Sequence, residues 1–249
     1  MAFSSMCRSA PALLAALAFS SGCGDGSGPG PTEEFSLSFT AIPAGTASAA
    51  VVTAASITDG THTLDLTQVE ATFSEIGLEA GVDDDDDENE AANTAKGEDD
   101  DDGGEGGEFE TGPVTVGLPV DGGVVTPFTG PIPVGTYRQM GLEIARVRVR
   151  GTYDAGDGSG PQAFDETIAA SAEAEKTLDP PFVVSAGAER PNVTIALHPY
   201  DWFREANGSL VDPRAINTDT ALRSRVRDRI ESSLDAFADD DRDGNEDVH

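Results

Sequence analysis

The chain has 249 residues, with 46 Asp and Glu against 15 Lys and Arg, so its formal charge is −31; 38% of its residues are hydrophobic and 6% aromatic. A surface this acidic repels phosphate backbones, which excludes nucleic acid as a partner. The length suits one β-rich domain or two small ones, and the apolar content is sufficient for one core.

Residues 1–22 have the pattern of an export signal. An apolar run extends from Ala10 to Phe19 and is too short to cross a bilayer core of ~30 Å. Small residues fill positions 20–22, directly before Cys23. These features predict a cleaved signal peptide rather than a membrane-spanning anchor.

The junction at Cys23 resembles the bacterial lipobox, in which the new N-terminal cysteine receives lipid after cleavage. The other cysteine, Cys7, lies inside the signal, so no disulfide is expected in the mature chain. We therefore predict lipidation at Cys23 and anchoring to a membrane through that lipid. Residues 23–33, rich in Gly and Pro, then form a flexible tether. The alternative is a soluble secretory signal with a chance cysteine.

The negative charge is concentrated in two segments. Residues 83–110 contain 15 acidic residues against Lys96, or −14, and residues 235–249 contribute −6, which leaves −11 for the rest. A segment with so much charge and one aromatic residue cannot bury enough apolar surface to offset its ordering entropy. We therefore predict a disordered acidic loop over 83–110. It would either attract cations or a basic partner, or be a passive solvated insertion.

The body of the chain follows a period of two, which is typical of strands with one buried face. The phase changes at Ser74–Glu75, which predicts a bulge, and again between Ile144 and Val147. Turn residues separate the segments and no helical pattern intervenes, so we predict a mainly β fold, an antiparallel β-sandwich over 34–215. The apolar positions of these strands are Phe35, Leu37, Phe39, Ala41, Val69, Ala71, Phe73, Ile76, Leu78, Val114, Val116, Leu118, Val120, Met140, Leu142, Ile144, Val147, Val149, Val193, Ile195 and Leu197.

Arginines alternate with valines in one of these segments. Arg146, Arg148 and Arg150 therefore point away from the core as an outward stripe. The stripe is either a solvated face or a place where part of the acidic loop docks.

One helix is predicted over 216–238. Residues 217–219, Asn-Thr-Asp, suit an N-terminal cap. The spacing of the apolar residues places them on one face, with the arginines at 223, 225, 227 and 229 in water. The residues of the apolar face are Leu222, Val226, Ile230, Leu234 and Phe237.

The acidic tail, 239–249, contains the one motif with recognisable chemistry. Alternate acidic residues let several carboxylates converge on one hard cation, and Gly244 at the sixth position permits the sharp turn of an EF-hand-type loop. The segment departs from the EF-hand because no Glu stands at position 12. We predict a weak Ca²⁺ site, with the alternative of a frayed tail. Its ligands would be Asp239, Asp241, Asp243, Asn245 and Asp247.

Known enzyme signatures are missing from the sequence, including Gly-x-Ser-x-Gly, His-Glu-x-x-His and a phosphate-binding loop. Tyr200 and Trp202 present an aromatic pair that either stacks on sugar or closes the rim of the sandwich, and His198 with Asp201 forms a second candidate metal pair. Dispersed carboxylates leave a hydrolase as the third, least favoured alternative.

Several segments together resemble a known family. They are the lipobox, the strand series, Val134–Tyr137 before Met140–Ile144, Trp202-Phe203, Val211–Pro213 and the Asp-rich loop. The chain is similar, over about 34–215 and the tail, to bacterial cell-envelope lipoproteins with an uncharacterised domain. The resemblance implies a prealbumin-like, immunoglobulin-like or carbohydrate-binding-like sandwich at the outer membrane or cell surface. It implies no activity, so the expectation is a non-enzymatic binding or structural protein, with a glycan or protein as its partner.

Overall fold

The computed structural model describes residues 30–42, 56–80, 108–187 and 190–246. The predicted signal, Cys23 and residues 83–107 of the acidic loop lie outside these ranges. Among the described residues, no helix is long and apolar enough to cross a membrane. The strands are β1 (Thr32–Ala41), β2 (Ser56–Thr58), β3 (Thr63–Ala80), β4 (Phe109–Thr111), β5 (Val114–Leu118), β6 (Val124–Pro133), β7 (Gly135–Asp154), β8 (Gln162–Val184), β9 (Asn192–Leu197) and β10 (Asp235–Ala238). The α-helix in this described part of the chain is α1 (Thr220–Ser232).

Two sheets face one another, which confirms the predicted mainly β, sandwich-like fold. The four-stranded sheet has the order β10-β9-β1-β6, and the six-stranded sheet has the order β2-β3-β7-β8, with β4 and β5 also paired to β3. Aromatic side chains join the two layers: the rings of Phe39 and Phe73 lie 5.3 Å apart, and those of Phe35 and Phe182 lie 5.6 Å apart. The inward positions of the alternating pattern therefore form the core, as the period of two predicts.

The sheets are not entirely antiparallel. Strand β9 pairs in parallel with β1, and Ser36 lies beside Asn192. The alternation of apolar residues shows which face of a strand is buried, but it carries no information about strand direction. The parallel pair was therefore not predicted.

Both predicted irregularities in the strands are present. The β3–β7 register shifts between Phe73 and Glu75, and the β7–β8 register shifts between Ile144 and Arg146. A β-bulge lets a strand keep its apolar side chains on one face after the phase change. The phase changes in the sequence were therefore correctly interpreted.

Two predicted boundaries were wrong. The acidic loop does not extend to 110, because Phe109 is 7% exposed and its ring packs 5.2 Å from that of Phe35, which makes β4 part of the core. The tether does not extend to residue 33, because β1 begins at Thr32. In β4 the buried side chain of Phe109, and in β1 the buried run that begins at Phe35, outweigh the polar composition of the adjoining segment.

Helix α1 is shorter than the predicted 216–238. Its N-cap is Asp219, whose side chain accepts a hydrogen bond from the main-chain N of Leu222 at 3.0 Å. It ends at Ser232, and residues 235–238 form β10 along the free edge of β9 instead. Ladder hydrogen bonds with β9 outweigh a helical spacing that continues by coincidence to Phe237.

The helix arginines do not simply extend into water. Arg227 donates from Nε to the main-chain oxygen of Ala170 in β8 at 2.7 Å, and Arg229 forms an ion pair of 2.8 Å with Glu205. The first contact covers a carbonyl at the edge of the six-stranded sheet, where unpaired main-chain groups would otherwise be exposed. Helix α1 thereby fixes the edge strand in place.

The outward arginine stripe is also paired within the sheet. Arg148 and Arg150 both donate to Asp165 of β8, at 2.8 and 3.0 Å. Arg146 donates to the hydroxyl of Thr72 at 3.2 Å. These contacts account for the stripe as a partly exposed face of the sheet.

Candidate metal centre

The Asp-rich loop follows β10 and folds back over the sandwich. Carboxylate oxygens of Asp239, Asp241 and Asp243 all lie within 4.8 Å of one another. The loop starts from a strand rather than from the helix that the sequence suggested, so its entry differs from that of an EF-hand. Asn245 follows as an exposed residue, and Asp247 lies outside the described residues.

Main-chain hydrogen bonds hold the loop closed. Asp239 accepts from the main-chain N of Asp243 through Oδ1 and from that of Gly244 through Oδ2, both at 3.0 Å. Asp243 accepts in turn from the main-chain N of Asn245 at 2.8 Å. Asp241 accepts from the main-chain N of Asp243 through Oδ1 at 3.2 Å. These bonds hold the three carboxylates close together, as alternate ligands of one cation require.

The turn at Gly244 depends on glycine. Its φ is +82°, and a Cβ there would lie 2.9 Å from Cγ2 of Val124 in β6. Only a residue without a side chain adopts this conformation while lying so close to the sheet. The glycine that the motif requires at its sixth position is therefore also the residue that brings the loop onto the sandwich.

Asp239 is fully buried, with 0% of its surface exposed. Its Oδ2 accepts a hydrogen bond of 2.6 Å from Thr194, and burial raises the pKa of the carboxyl group above its ordinary value. No Lys, Arg or His in the described part of the chain forms an ion pair with it. A buried carboxylate without a counter-charge is costly, and a bound cation would remove that cost.

The side chain of Asn192 supports the loop from below. It accepts hydrogen bonds from the hydroxyls of Ser36 and Ser38, both at 2.8 Å, and donates to the main-chain oxygen of Asp239 at 2.8 Å. It also donates to the hydroxyl of Thr194 at 3.2 Å. Sequence analysis missed this network. The one feature of the sequence that could have indicated this network is the alternation of polar with apolar residues in β1 and β9.

The donor set fits a hard divalent cation. All the side chains that converge here are carboxylates, and the loop contains no Cys or His. Oxygen-only ligands favour Ca²⁺ or Mg²⁺, and the flexible coordination of Ca²⁺ suits an irregular loop that leaves ligand positions to water. The exposure of Asp241 and Asp243 gives an ion direct access from solvent.

The aromatic pair does not form an exposed platform, which corrects that expectation. Tyr200 is 1% and Trp202 is 0% exposed, and Trp202 Nε1 donates to Ser233 Oγ at 2.7 Å. Trp202 belongs to the short 3-10 turn Asp201–Phe203 and Tyr200 directly precedes it; both side chains are buried, so the faces of their rings are not accessible to a sugar. The pair closes the rim of the core, which was the other interpretation of this segment.

Neither His62 nor His198, the two histidines that the structure describes, joins the metal centre. His198 Nδ1 lies 4.0 Å from Asp201 Oδ2, and both line an open cleft of about 480 Å³ beside the end of α1. His62 Nδ1 lies 2.8 Å from Oδ2 of Asp59, and that same oxygen accepts from the main-chain N of Leu210. The hydrogen bond from the main-chain N of His62 at 2.7 Å, followed by those from the His62 ring and the main-chain N of Leu210, holds the pKa of Asp59 well below its ordinary value. Asp59 thus links the turn that contains His62 to the segment at Leu210. Among the described residues, no third metal ligand lies beside the His62–Asp59 pair or the His198–Asp201 pair.

Comparisons with models of protein families, with curated proteins and with solved structures gave no match.

Proposed function

We propose that this chain is an exported, lipid-anchored protein of the bacterial cell envelope, a non-enzymatic β-sandwich that binds Ca²⁺ weakly through its C-terminal loop. The cation site is the part of the proposal that the geometry supports. The location is supported by the export signal, the lipobox-like junction at Cys23 and the resemblance to envelope lipoproteins.

The carboxylate cluster is the observation that carries the cation site. Oxygens of Asp239, Asp241 and Asp243 lie within 4.8 Å of one another, and like charges at that distance repel unless a cation or proton is shared between them. With three carboxylates converging in the loop, we expect a low affinity, on the order of 10⁻⁴ to 10⁻³ M, as in extracellular modules.

Calcium is expected to raise the melting temperature of the purified protein. At ten times its dissociation constant, the ion stabilises the fold by about 1.4 kcal/mol, which corresponds to roughly 3–6 °C for a domain of this size. The measurement is thermal unfolding by circular dichroism in EDTA and in CaCl₂. Asp241→Asn with Asp243→Asn removes two ligand charges but keeps oxygen acceptors for the main-chain bonds, so this variant should show no rise.

A matched control removes two charges elsewhere. Asp228 and Glu231 are exposed residues of helix α1, so Asp228→Asn with Glu231→Gln should keep the full calcium response. An equal rise in the loop variant and in wild type would eliminate the loop as the site and leave only a general effect of charge screening.

Lipidation is tested directly in a bacterial host. In cells fed an alkyne analogue of palmitate, the wild-type protein should incorporate label and remain in the membrane fraction, because two or three acyl chains anchor firmly. Cys23→Ala should lose the label, whereas Cys7→Ala, which removes the only other cysteine, should keep it. Label that persists in Cys23→Ala would rule out the predicted attachment site.

The two alternative functions receive less support. A carbohydrate-binding module based on Tyr200 and Trp202 would need exposed rings, and both are buried. For a hydrolase, no geometry in the described residues selects a pair of carboxylates with a general acid in a substrate cleft. The non-enzymatic proposal therefore stands first.

A further inference from the structure

On the outer face of the four-stranded sheet, the polar residues of the two central strands, β1 and β9, are almost completely buried. Alternate residues of β1 and β9 that point away from the core are 0–3% exposed. A face of this composition usually lies in water. The residues concerned are Ser36, Ser38, Thr40, Asn192 and Thr194.

The cover over this face is the C-terminal strap, which we define as residues 239–246. Within the strap, Arg242 donates from Nη2 to the hydroxyl of Ser36 at 3.0 Å and to the main-chain oxygen of Arg190 at 3.1 Å. Asp240 accepts from the main-chain N of Asn192 at 3.3 Å. The strap is thus attached by polar contacts distributed along its length.

The balance between a docked and an open strap is close. The surface beneath it consists mainly of hydroxyl and amide groups that water can satisfy, and Val124 beside Gly244 is its apolar contact. Opening therefore exposes little apolar area and loses little hydrophobic stabilisation. The strap itself contains five acidic residues against Arg242, or −4, and this charge opposes close docking. The apolar core lies between the two sheets, whereas the strap lies on the opposite face of β1 and β9. The core therefore stays covered when the strap opens.

We propose that the C-terminal strap opens and closes as a unit on an intact sandwich, and so acts as a releasable cover for the polar face. Opening uncovers the side chains of Ser36, Ser38, Asn192 and Thr194 and leaves the ten-strand core in place. A cation held by Asp239, Asp241 and Asp243 favours the closed state, and this one aspect rests on the proposed calcium site.

Hydrogen exchange of the purified protein tests the strap without calcium. The amide of Asp239 donates to the main-chain oxygen of Asn192 at 3.1 Å, and the amide of Asn192 donates to Oδ1 of Asp240 at 3.3 Å, so these two bonds join the strap to the sheet. In EDTA both amides should exchange at least tenfold faster than the amides of α1 and of the remainder of β9, because local opening requires less free energy than global unfolding. Equal exchange in the strap, α1 and β9 would mean that they open only together and would overturn the proposal.

Arginine variants locate the contact that holds the strap. Arg242→Gln should accelerate exchange in the strap by roughly twofold to tenfold, the effect of losing side-chain hydrogen bonds, and should leave α1 unchanged. Arg190→Gln is the matched control, because the Arg190 side chain pairs with Glu34 and only its main-chain oxygen contacts the strap. Equal acceleration by both variants, or acceleration throughout the protein, would count against docking through Arg242.

Calcium titration by calorimetry, followed by exchange in CaCl₂, separates the strap from the proposed function. At a calcium concentration ten times the dissociation constant, exchange in the strap should slow by roughly tenfold, while exchange elsewhere stays unchanged. That result, together with measured binding, supports the coupling between calcium binding and strap closure. Reciprocity then requires Arg242→Gln to weaken calcium affinity as well. Binding without slower exchange overturns the coupling but keeps the calcium site. No binding overturns the calcium site, while the comparison in EDTA still decides whether the strap opens.

Discussion

Replacement of Trp202 with alanine is expected to lower the free energy of unfolding by about 3–5 kcal/mol, the range for truncating a large buried aromatic side chain. The indole is fully buried, and its Nε1 donates to Ser233 at 2.7 Å. Truncation leaves a cavity and removes the donor that ties the 3-10 turn to the end of α1. Urea unfolding followed by circular dichroism measures the change.

Tyr200→Phe is the control for this prediction. The Tyr200 hydroxyl is buried and has no hydrogen-bond partner, so its removal should leave stability within roughly 1 kcal/mol of wild type or raise it slightly. Trp202→Ala with near wild-type stability would contradict the role of the indole as the plug of the rim. That result would restore the exposed aromatic platform as an interpretation.

Gly151→Ala is expected to destabilise the protein by about 3 kcal/mol or more, at the upper end of overpacking. Gly151 of β7 lies opposite Leu66 of β3, where the β3–β7 register shifts. A Cβ at this position would lie 1.9 Å from the main-chain oxygen of Asp65 and 3.0 Å from Cζ of Phe164. The first contact is with backbone, so the clash can be relieved only by moving two paired strands.

The same strand contains a matched control. Gly141 of β7 has no atom within 4 Å of the position that its Cβ would take, so Gly141→Ala should change stability by roughly 0.5 kcal/mol or less. The two variants are compared by urea unfolding under identical conditions. Similar effects of both would show that the close approach at Asp65 does not exist in solution.

Local patterns predicted the strands well because the alternation of apolar and polar residues within a β-strand shows which of its faces is buried. The bulge beside Phe73 was visible for the same reason, since one extra residue reverses the alternation. Strand partners are different: nothing near Ser36 indicates that Asn192 lies beside it in parallel. Pairing between distant segments is decided by the whole fold.

The candidate site was predicted only in part. The sequence predicted the carboxylate cluster because its motif is local: it consists of the spacing of Asp239, Asp241, Asp243 and Gly244. The residues that hold the loop, above all Asn192, belong to a strand more than 40 residues earlier, and no local pattern connects them. The aromatic pair at 200 and 202 was ambiguous because composition alone does not distinguish a buried plug from an exposed platform.

The parallel pairing of β1 with β9 also determines when the protein can fold. Strand β1 lies between β6 and β9, and its contacts with Thr126 and Asn192 span 88 and 156 residues. Contacts of such long range form slowly, because the closure entropy of a long loop is lost before the contacts form. Strand β1, the first of the described strands, therefore waits for β9, the last but one. The two central strands of the four-stranded sheet cannot pair until β9 has been synthesised.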